Sequence, residues 1–310
     1  MSGLIDTEGL YRLDAATYHA DPSAVPSLSS GIAKLIVNRT PRHAWHKHPR
    51  LNPFFDARED DELKRKTAFG SVGHELFLGT GGGIHVIQAK NKNGEPVTGY
   101  QSNEAKEERD AALAAGLIPV KAAEFERARV VVDEAKRQLF SWLDLDGESE
   151  ITGLAHFDNA VTRFMCDRLL KDERTIIDLK FTDGDASTAE WPRQAARMGY
   201  HIQAGHYRTG LAQILGIDVR HTDFLFVVVE VGPPIMVIAH ELPPGMSEIG
   251  IEQAESARAT WGHCLNKGTD MKHWPGYEPG RHCGDDPGWI IARHETQAAL
   301  AKLAFSPVGE

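Results

Sequence analysis

Cysteine is scarce in this chain, with three in 310 residues. An odd count in a chain this long does not make a disulfide framework, so a reducing cytoplasm is the expected compartment. An iron–sulfur cluster held by four cysteines is excluded by number. Long apolar runs are also missing, and none reaches the roughly 18 residues that a membrane-spanning helix needs. The opening residues, MSGLIDTEGLYRLD, are acidic and poor in apolar side chains, unlike a signal peptide. No membrane partner is expected. Positive charge is in short supply, with 34 Lys and Arg against 44 Asp and Glu and a net charge of -10. That balance argues against a passive, charge-driven nucleic-acid coat. It leaves room for an enzyme acting on nucleic acid, because acids grouped around divalent metals lower the net charge while a local basic channel still binds phosphates. Internal repeats and low-complexity tracts are absent. What remains is 41% hydrophobic and 25% charged, enough for one large core or two modest ones.

The stretch that organises the chain is Thr175 to Lys180, TIIDLK. On a strand, Asp178 and Lys180 share a face and Leu179 points the other way. An acid and an amine on a largely apolar strand are costly to bury unless they are paired or hold a metal. The preceding segment, Val161 to Leu170, also reads as a strand, and the turn-forming KDER between the two makes a hairpin that brings Asp167 near Asp178. Two carboxylates beside a lysine suit a Mg²⁺ site that activates water against a phosphodiester. A surface hairpin with a salt bridge is the plainer reading of the same residues.

Residues 1 to 27 read as mostly loop, with short strand-like pieces and turns around Asp21-Pro22 and Val25-Pro26. Ser29 or Ser30 caps a helix running to about Asn38. Lys34, Arg39, Arg42, His43, His46, Lys47 and His48 make the most basic part of the chain, either phosphate contacts or a solvated helix end. Phe69 to Leu78 is a helix in which Gly70 and Gly73 allow close approach, and His74 and Glu75 interrupt an apolar run. GTGGG at 79–83 lacks the context of a phosphate loop. A short strand at Ile84–Gln88, a polar loop, a polar helix at Glu104–Ala115 and a long helix at Ala122–Leu139 follow. Glu148 to Asp158 alternates as a strand, with Glu150, Thr152, Leu154 and His156 on one face. Thr188 to Ala212 reads as one helix, with Tyr200, Gln203 and Tyr207 on one side, either a polar stripe that positions a carboxylate or a phosphate or the wet face of an amphipathic helix. Asp223–Val231 and Ile235–Ala239 are apolar, β-branched strands, and Ile249–Leu265 is a long helix. A last helix is expected near Ile291–Leu303. His263, Cys264, His273, His282 and Cys283 crowd the tail, but their spacings do not match zinc-site pairs.

The order is G-x-x-x-H (Gly70 to His74), a Glu-led strand (Glu150), an Asp-ended strand (Asp167), D-L-K (Asp178, Leu179, Lys180) and Q-x-x-x-Y (Gln203, Tyr207). This series resembles the PD-(D/E)XK nuclease superfamily, and more narrowly the RecE-type (exodeoxyribonuclease VIII) nucleases of phages and prophages. The stretches LSSGIAKLI, TPRHAW, GYHIQAGHYRTGL and WPGY are similar to that family too, so the resemblance runs from about Tyr18 to Tyr277. It implies an α/β fold with a restriction-endonuclease-like core, a central mixed β-sheet flanked by helices. It further implies a single nuclease domain over residues 1–310, with an N-terminal helical part at 1–60, a catalytic core at 61–240 and C-terminal helices and loops at 241–310.

By this resemblance Asp167, Asp178 and the main-chain carbonyl of Leu179 bind Mg²⁺, which Mn²⁺ can replace, and His74 is a further metal ligand. Lys180 orients or deprotonates the attacking water. Glu150 is a supporting acid, and Gln203 and Tyr207 position the DNA strand or the carboxylates. Ser29, Ser30 and Lys34 meet a substrate phosphate. Two departures stand out: Met165-Cys166-Asp167 replaces the family's usual Arg-Pro-Asp, and Phe181 follows Lys180 where Thr is common. Neither removes a ligand, and Cys166 is expected in the core. The implied activity is Mg²⁺-dependent hydrolysis of DNA, 5′ to 3′ from duplex ends in phage recombination, with a single-strand annealing protein as partner and a homo-oligomer as assembly. The rival readings are an endonuclease or single-strand nuclease of the same fold, a catalytically silent DNA-binding or assembly module, and a metabolic enzyme using the tail histidines.

Overall fold

A computed structural model describes residues 3–56, 68–80 and 83–281. Met1–Gly276 form one unit and Tyr277–Glu310 a second, of which residues 277–281 are described. In chain order the first unit runs β1 (Gly9–Arg12), α1 (Ala15–His19), β2 (Leu28–Ser29), α2 (Ser30–Asn38), α3 (Pro41–Lys47), α4 (Ala68–Leu78), β3 (Ile84–Ile87), α5 (Asn103–Ala114), β4 (Ile118–Lys121) and α6 (Ala122–Leu139). It continues with β5 (Gly147–Phe157), β6 (Ala160–Leu170), β7 (Thr175–Thr182), α7 (Trp191–Arg197), α8 (Tyr200–Leu215), β8 (Asp223–Glu230), β9 (Met236–His240) and α9 (Pro244–Lys267). The expected final helix, and His282 and Cys283 with it, lie outside the described residues.

Seven strands make the main sheet, in the order β1-β5-β6-β7-β8-β9 with β2 also on β6. The hairpin partners β5 and β6 are antiparallel over nearly their whole length, while β7 and β8 run parallel from Thr175↔Asp223 to Thr182↔Glu230. This is the expected mixed sheet. Its two faces follow from period-2 alternation. On β7 and β8, Ile176, Phe224, Phe226 and Val228 pack under α7 and α8 with Phe164, Trp191 and Leu211. Ile177, Leu179, Val227 and Val229 pack on the opposite face, against Val131, Val132, Ala135 and Leu139 of α6. The two-stranded parallel sheet of β3 and β4 is separate from the main one.

Strand β1, a short strand within the mostly loop residues 1–27, pairs with β5 at the sheet edge. Two elements differ from the sequence reading. The helix expected over Thr188–Ala212 is two helices, because Gly199 adopts φ 64°, which L-residues reach at a cost, and turns the chain between α7 and α8. Helix α9 begins at Pro244, earlier than expected, with proline where a missing N–H costs nothing.

The basic stretch after α2 divides. His48 is wholly buried, its Nε2 3.3 Å from Asp21 Oδ2. Arg163 of β6 reaches the same carboxylate at 3.2 Å, and Ser27 donates to it through both N–H (3.0 Å) and Oγ–H (2.5 Å). His48 therefore holds the N-terminal segment to the sheet and is no phosphate contact.

Helices α8 and α9 meet backbone to backbone. A Cβ on Gly205 would lie 2.2 Å from the carbonyl oxygen of Gly250. The helices must part for any side chain there, so Gly205→Ala should cost about 1–3 kcal/mol in denaturant unfolding. A Cβ on Gly70 of α4 would meet nothing within 4 Å among the described residues. Gly70→Ala should raise stability by about 0.5–1 kcal/mol in the same titration, through helix propensity alone.

Candidate active site

Strand β6 changes partners along one edge. Near its start, Thr162 and Arg163 pair with β2; near its end, Arg168 and Leu169 pair with β7. Between them that edge carries no registered partner, and Asp167 sits at the point where β7 leaves. The Asp167 carboxylate takes the place of the absent strand: Leu179 N–H donates to Asp167 Oδ2 at 2.7 Å. This brings Asp167 against the D-L-K segment, as the hairpin predicts.

Asp178 is buried at 3% exposure, yet both of its oxygens are satisfied. Lys180 Nζ donates to Oδ2, and Gln203 Nε2 of α8 donates to Oδ1 at 2.6 Å. Lys34 Nζ of α2 in turn donates to Gln203 Oε1 at 3.3 Å. Burial alone would lower the Lys180 ammonium, but the Asp178 and Asp167 charges outweigh it and hold it above its ordinary value. Burial, with the neighbouring Lys180 charge, pulls Lys34 down to about 8 against a smaller pull from Asp178.

Helix α4 supplies the other wall. His74 Nδ1 lies 3.6 Å from Asp167 Oδ2. The helix comes this close because Gly73 faces Phe181: a Cβ there would sit 2.7 Å from the ring. Phe181, unusual after Lys180, is thus the surface on which α4 rests, edge-on to Phe69 and tilted against His74. Gly70, grouped with Gly73 in the sequence reading, makes no such approach.

The acids repel one another. Burial first, and then the Asp178 charge, raise the Asp167 carboxyl, with His74 and Lys180 opposing. Burial raises Glu150, and the charges of Glu75 and Asp167 raise it further. Glu150 also has φ 53°, an uncommon conformation for a residue with a Cβ, at the one point where the β5–β6 register skips a pair opposite Asp167. One residue escaped the sequence reading as a site member. Glu75 adjoins Glu150, and the only signal was its place beside His74. Tyr200, in the polar stripe read with Gln203, has its ring centre within about 5 Å of both lysine ammonium groups.

The remaining sequence-predicted residues lie elsewhere. Tyr207 is one turn further along α8, buried between Phe164 and Phe224. Ser29 caps α2 by accepting from Ile32 N–H at 3.4 Å, and Ser30 is the first residue of that helix. Cys166 is in the core as expected, fully buried. Of the tail residues, Cys264 packs with Trp261 and Trp274.

The donor set suits a hard divalent cation: carboxylate oxygens from two adjoining strands, the Leu179 carbonyl between them, and His74. The mutual repulsion of Asp167, Glu150 and Glu75 is what such a charge would relieve. Among the described residues, no group of three or more His, Cys, Asp and Glu closes into a ready metal cage. Lys180 stands on Asp178 and the Leu179 amide on Asp167, so both acids are turned to partners within the chain.

Residues 69–283 match the family model described as a PDDEXK-like domain of unknown function (DUF3799). The chain belongs to this family. A solved structure from Eubacterium rectale, named "Putative exonuclease", superposes on this PDDEXK-like chain with a TM-score of 0.56 and 12% identity, covering 91% of this chain and 98% of that one. At that identity the likeness speaks for the fold alone and bears out the restriction-endonuclease-like core, while the family model bears out the PD-(D/E)XK resemblance. No curated protein matches the chain by sequence.

Glu150 gives this PDDEXK-like site a signature in stability. Its folded carboxyl holds a proton more tightly than the unfolded one, whose ordinary value is 4.5. Ionisation therefore costs stability as the pH rises from 4.5 through the raised folded value. Glu150→Gln should melt higher than wild type at pH 7 in chelator, and the gain should vanish at pH 4, as read by thermal unfolding at the two pH values.

Proposed function

We propose that this protein is a divalent-metal-dependent DNA nuclease. The observation that carries the reading is the convergence of Asp167, Asp178 and Lys180 where β6 and β7 part, with Gln203 of α8 fixed on Asp178. Asp167, Asp178, the Leu179 carbonyl and His74 would hold the metal, Mg²⁺ or Mn²⁺. A bound Mg²⁺ supplies a lowered pKa for an attacking water and polarises the phosphoryl oxygen. The chain's own groups do the rest. Lys180 leaves Asp178, orients the water and donates to the charge that grows on the phosphate. Gln203 keeps the Asp178 carboxylate in place once Lys180 has moved. Lys34, beside Lys180, is the substrate-binding cation. Glu150 supports Asp167 and His74 from the neighbouring strand, and Tyr207 supports α8 from the core rather than touching substrate. Ser29 and Ser30 act through the placement of α2.

The finer reading is exonucleolytic, 5′ to 3′ on linear duplex DNA, leaving a 5′-phosphate, in phage recombination with a single-strand annealing protein and in a homo-oligomer in the cytoplasm. The RecE-type motifs support it. No helix among the described residues is long and apolar enough to cross a membrane.

End-labelled linear duplex and closed circular DNA, each with and without Mg²⁺, test the reading. Release of the 5′ label as mononucleotide from linear DNA alone is expected, with Lys180→Ala slower by about 10²–10⁴-fold. Nicking of the circle would make the enzyme an endonuclease. No cleavage with any divalent metal would leave the silent DNA-binding module in its place, and full activity in the variant would mean that the catalytic site lies elsewhere.

A further inference from the structure

We infer that Tyr200 is a positioning residue for this site, its ring being the platform that holds Lys34 and Lys180 together beside Asp178. Lys180 Nζ lies 4.9 Å and Lys34 Nζ 5.0 Å from the centre of that ring. Two ammonium groups drawn so close repel each other. Among the described residues one carboxylate, Asp178, contacts Lys180 directly, and Lys34 has the neutral Gln203 amide as its hydrogen-bond partner. The negative face of an aromatic ring adds to the attraction of the Asp178 and Asp167 charges. The ring is itself held. Trp191 stacks on it at 5.7 Å and 29°, Phe226 does the same at 5.7 Å and 29°, and His240 stacks on Trp191 at 5.7 Å and 19°. His240 is fixed to the Ala186 carbonyl at 2.8 Å, which closes the pile from the far side. Tyr200 is the first residue of α8, three positions before Gln203, so one helical turn supplies both the amide on Asp178 and the ring under the lysines. The arrangement presents two cations from different elements over one ring, a placement that suits a phosphate with two unshared oxygens.

The activity readout rests on the nuclease reading above; a second readout does not. Tyr200→Leu removes the π face, and Tyr200→Phe keeps it. Tyr200→Leu should lower kcat for Mg²⁺-dependent cleavage by about 3- to 30-fold with a smaller change in KM, and Tyr200→Phe should restore most of the loss. Independently of activity, reductive methylation followed by peptide mass spectrometry should show Lys34 and Lys180 labelled several-fold faster in Tyr200→Leu than in wild type or Tyr200→Phe, at unchanged melting temperature. Equal labelling in all three proteins, or equal loss in Tyr200→Leu and Tyr200→Phe, would overturn the inference. Should the leucine variant fail to fold, Tyr200→Met carries the same test. If wild type cleaves no DNA while the labelling difference holds, the nuclease reading fails and the platform stands.

Discussion

The structure depends on one exchange: a side chain standing in for a strand. A buried backbone N–H must find a partner, and in a continuous sheet the Leu179 amide would find it on β6. Here β6 is paired with β2 at one end and β7 at the other, so the sheet opens between them. Asp167 closes the gap by accepting from Leu179 N–H. The same bond that repairs the ladder sets an acid against the backbone of the D-L-K segment. Because β7 is paired with β8 through its whole length, the opening is confined to one edge and does not loosen the sheet.

Everything around that bond compensates charge. Asp178 is nearly inaccessible and keeps a lysine and an amide on its two oxygens. Removing either would leave a buried carboxylate short of partners, which costs more than the pair gains by forming. The helices are placed to supply these partners. Gly73 lets α4 settle on Phe181 so that His74 reaches Asp167, and the left-handed turn at Gly199 starts α8 afresh so that its first turn faces Asp178.

Much of this was legible in the sequence, because strands announce themselves by alternation and the site lies on strands. TIIDLK and VTRFMCDRLL gave β7, β6 and the meeting of Asp167 with Asp178. The i, i+3 relation of Tyr200 and Gln203 gave one face of α8. Tyr207 continues that stripe but points into the aromatic core, since four further residues carry it beyond the sheet opening. Glu75 was hidden for the opposite reason: its helix is apolar around it, and only the tertiary approach of Glu150, in a backbone conformation no pattern encodes, sets it beside the other acids. The break at Gly199 was visible as a glycine but reads as helix when the flanking periodicity is counted. Position Phe181 looked like a departure from the family and proves to be a packing surface.

The N-terminal segment shows why composition misleads about basic clusters. Lys34, Arg42 and His48 lie close in sequence and could all be read as phosphate contacts. They have three different fates. Arg42 Nε donates to the Trp274 carbonyl at 3.1 Å, His48 is sealed beside Asp21, and Lys34 alone of the three reaches the candidate site, through Gln203. The sealed group enables the third. A buried ion pair contributes little net stability against an apolar alternative, and its use is to specify one arrangement. Arg163 of β6, His48, Arg50 and Ser27 all meet at the Asp21 carboxylate, and this fixes the chain at Ser27 against the sheet. Ser29, two residues on, pairs beside Arg163 and caps α2. From there Lys34 has one place to go. The distance from a buried carboxylate to the Lys34 ammonium beside Gln203 is thus spanned by a two-residue strand and a little over one helical turn, each with its direction set by a hydrogen bond.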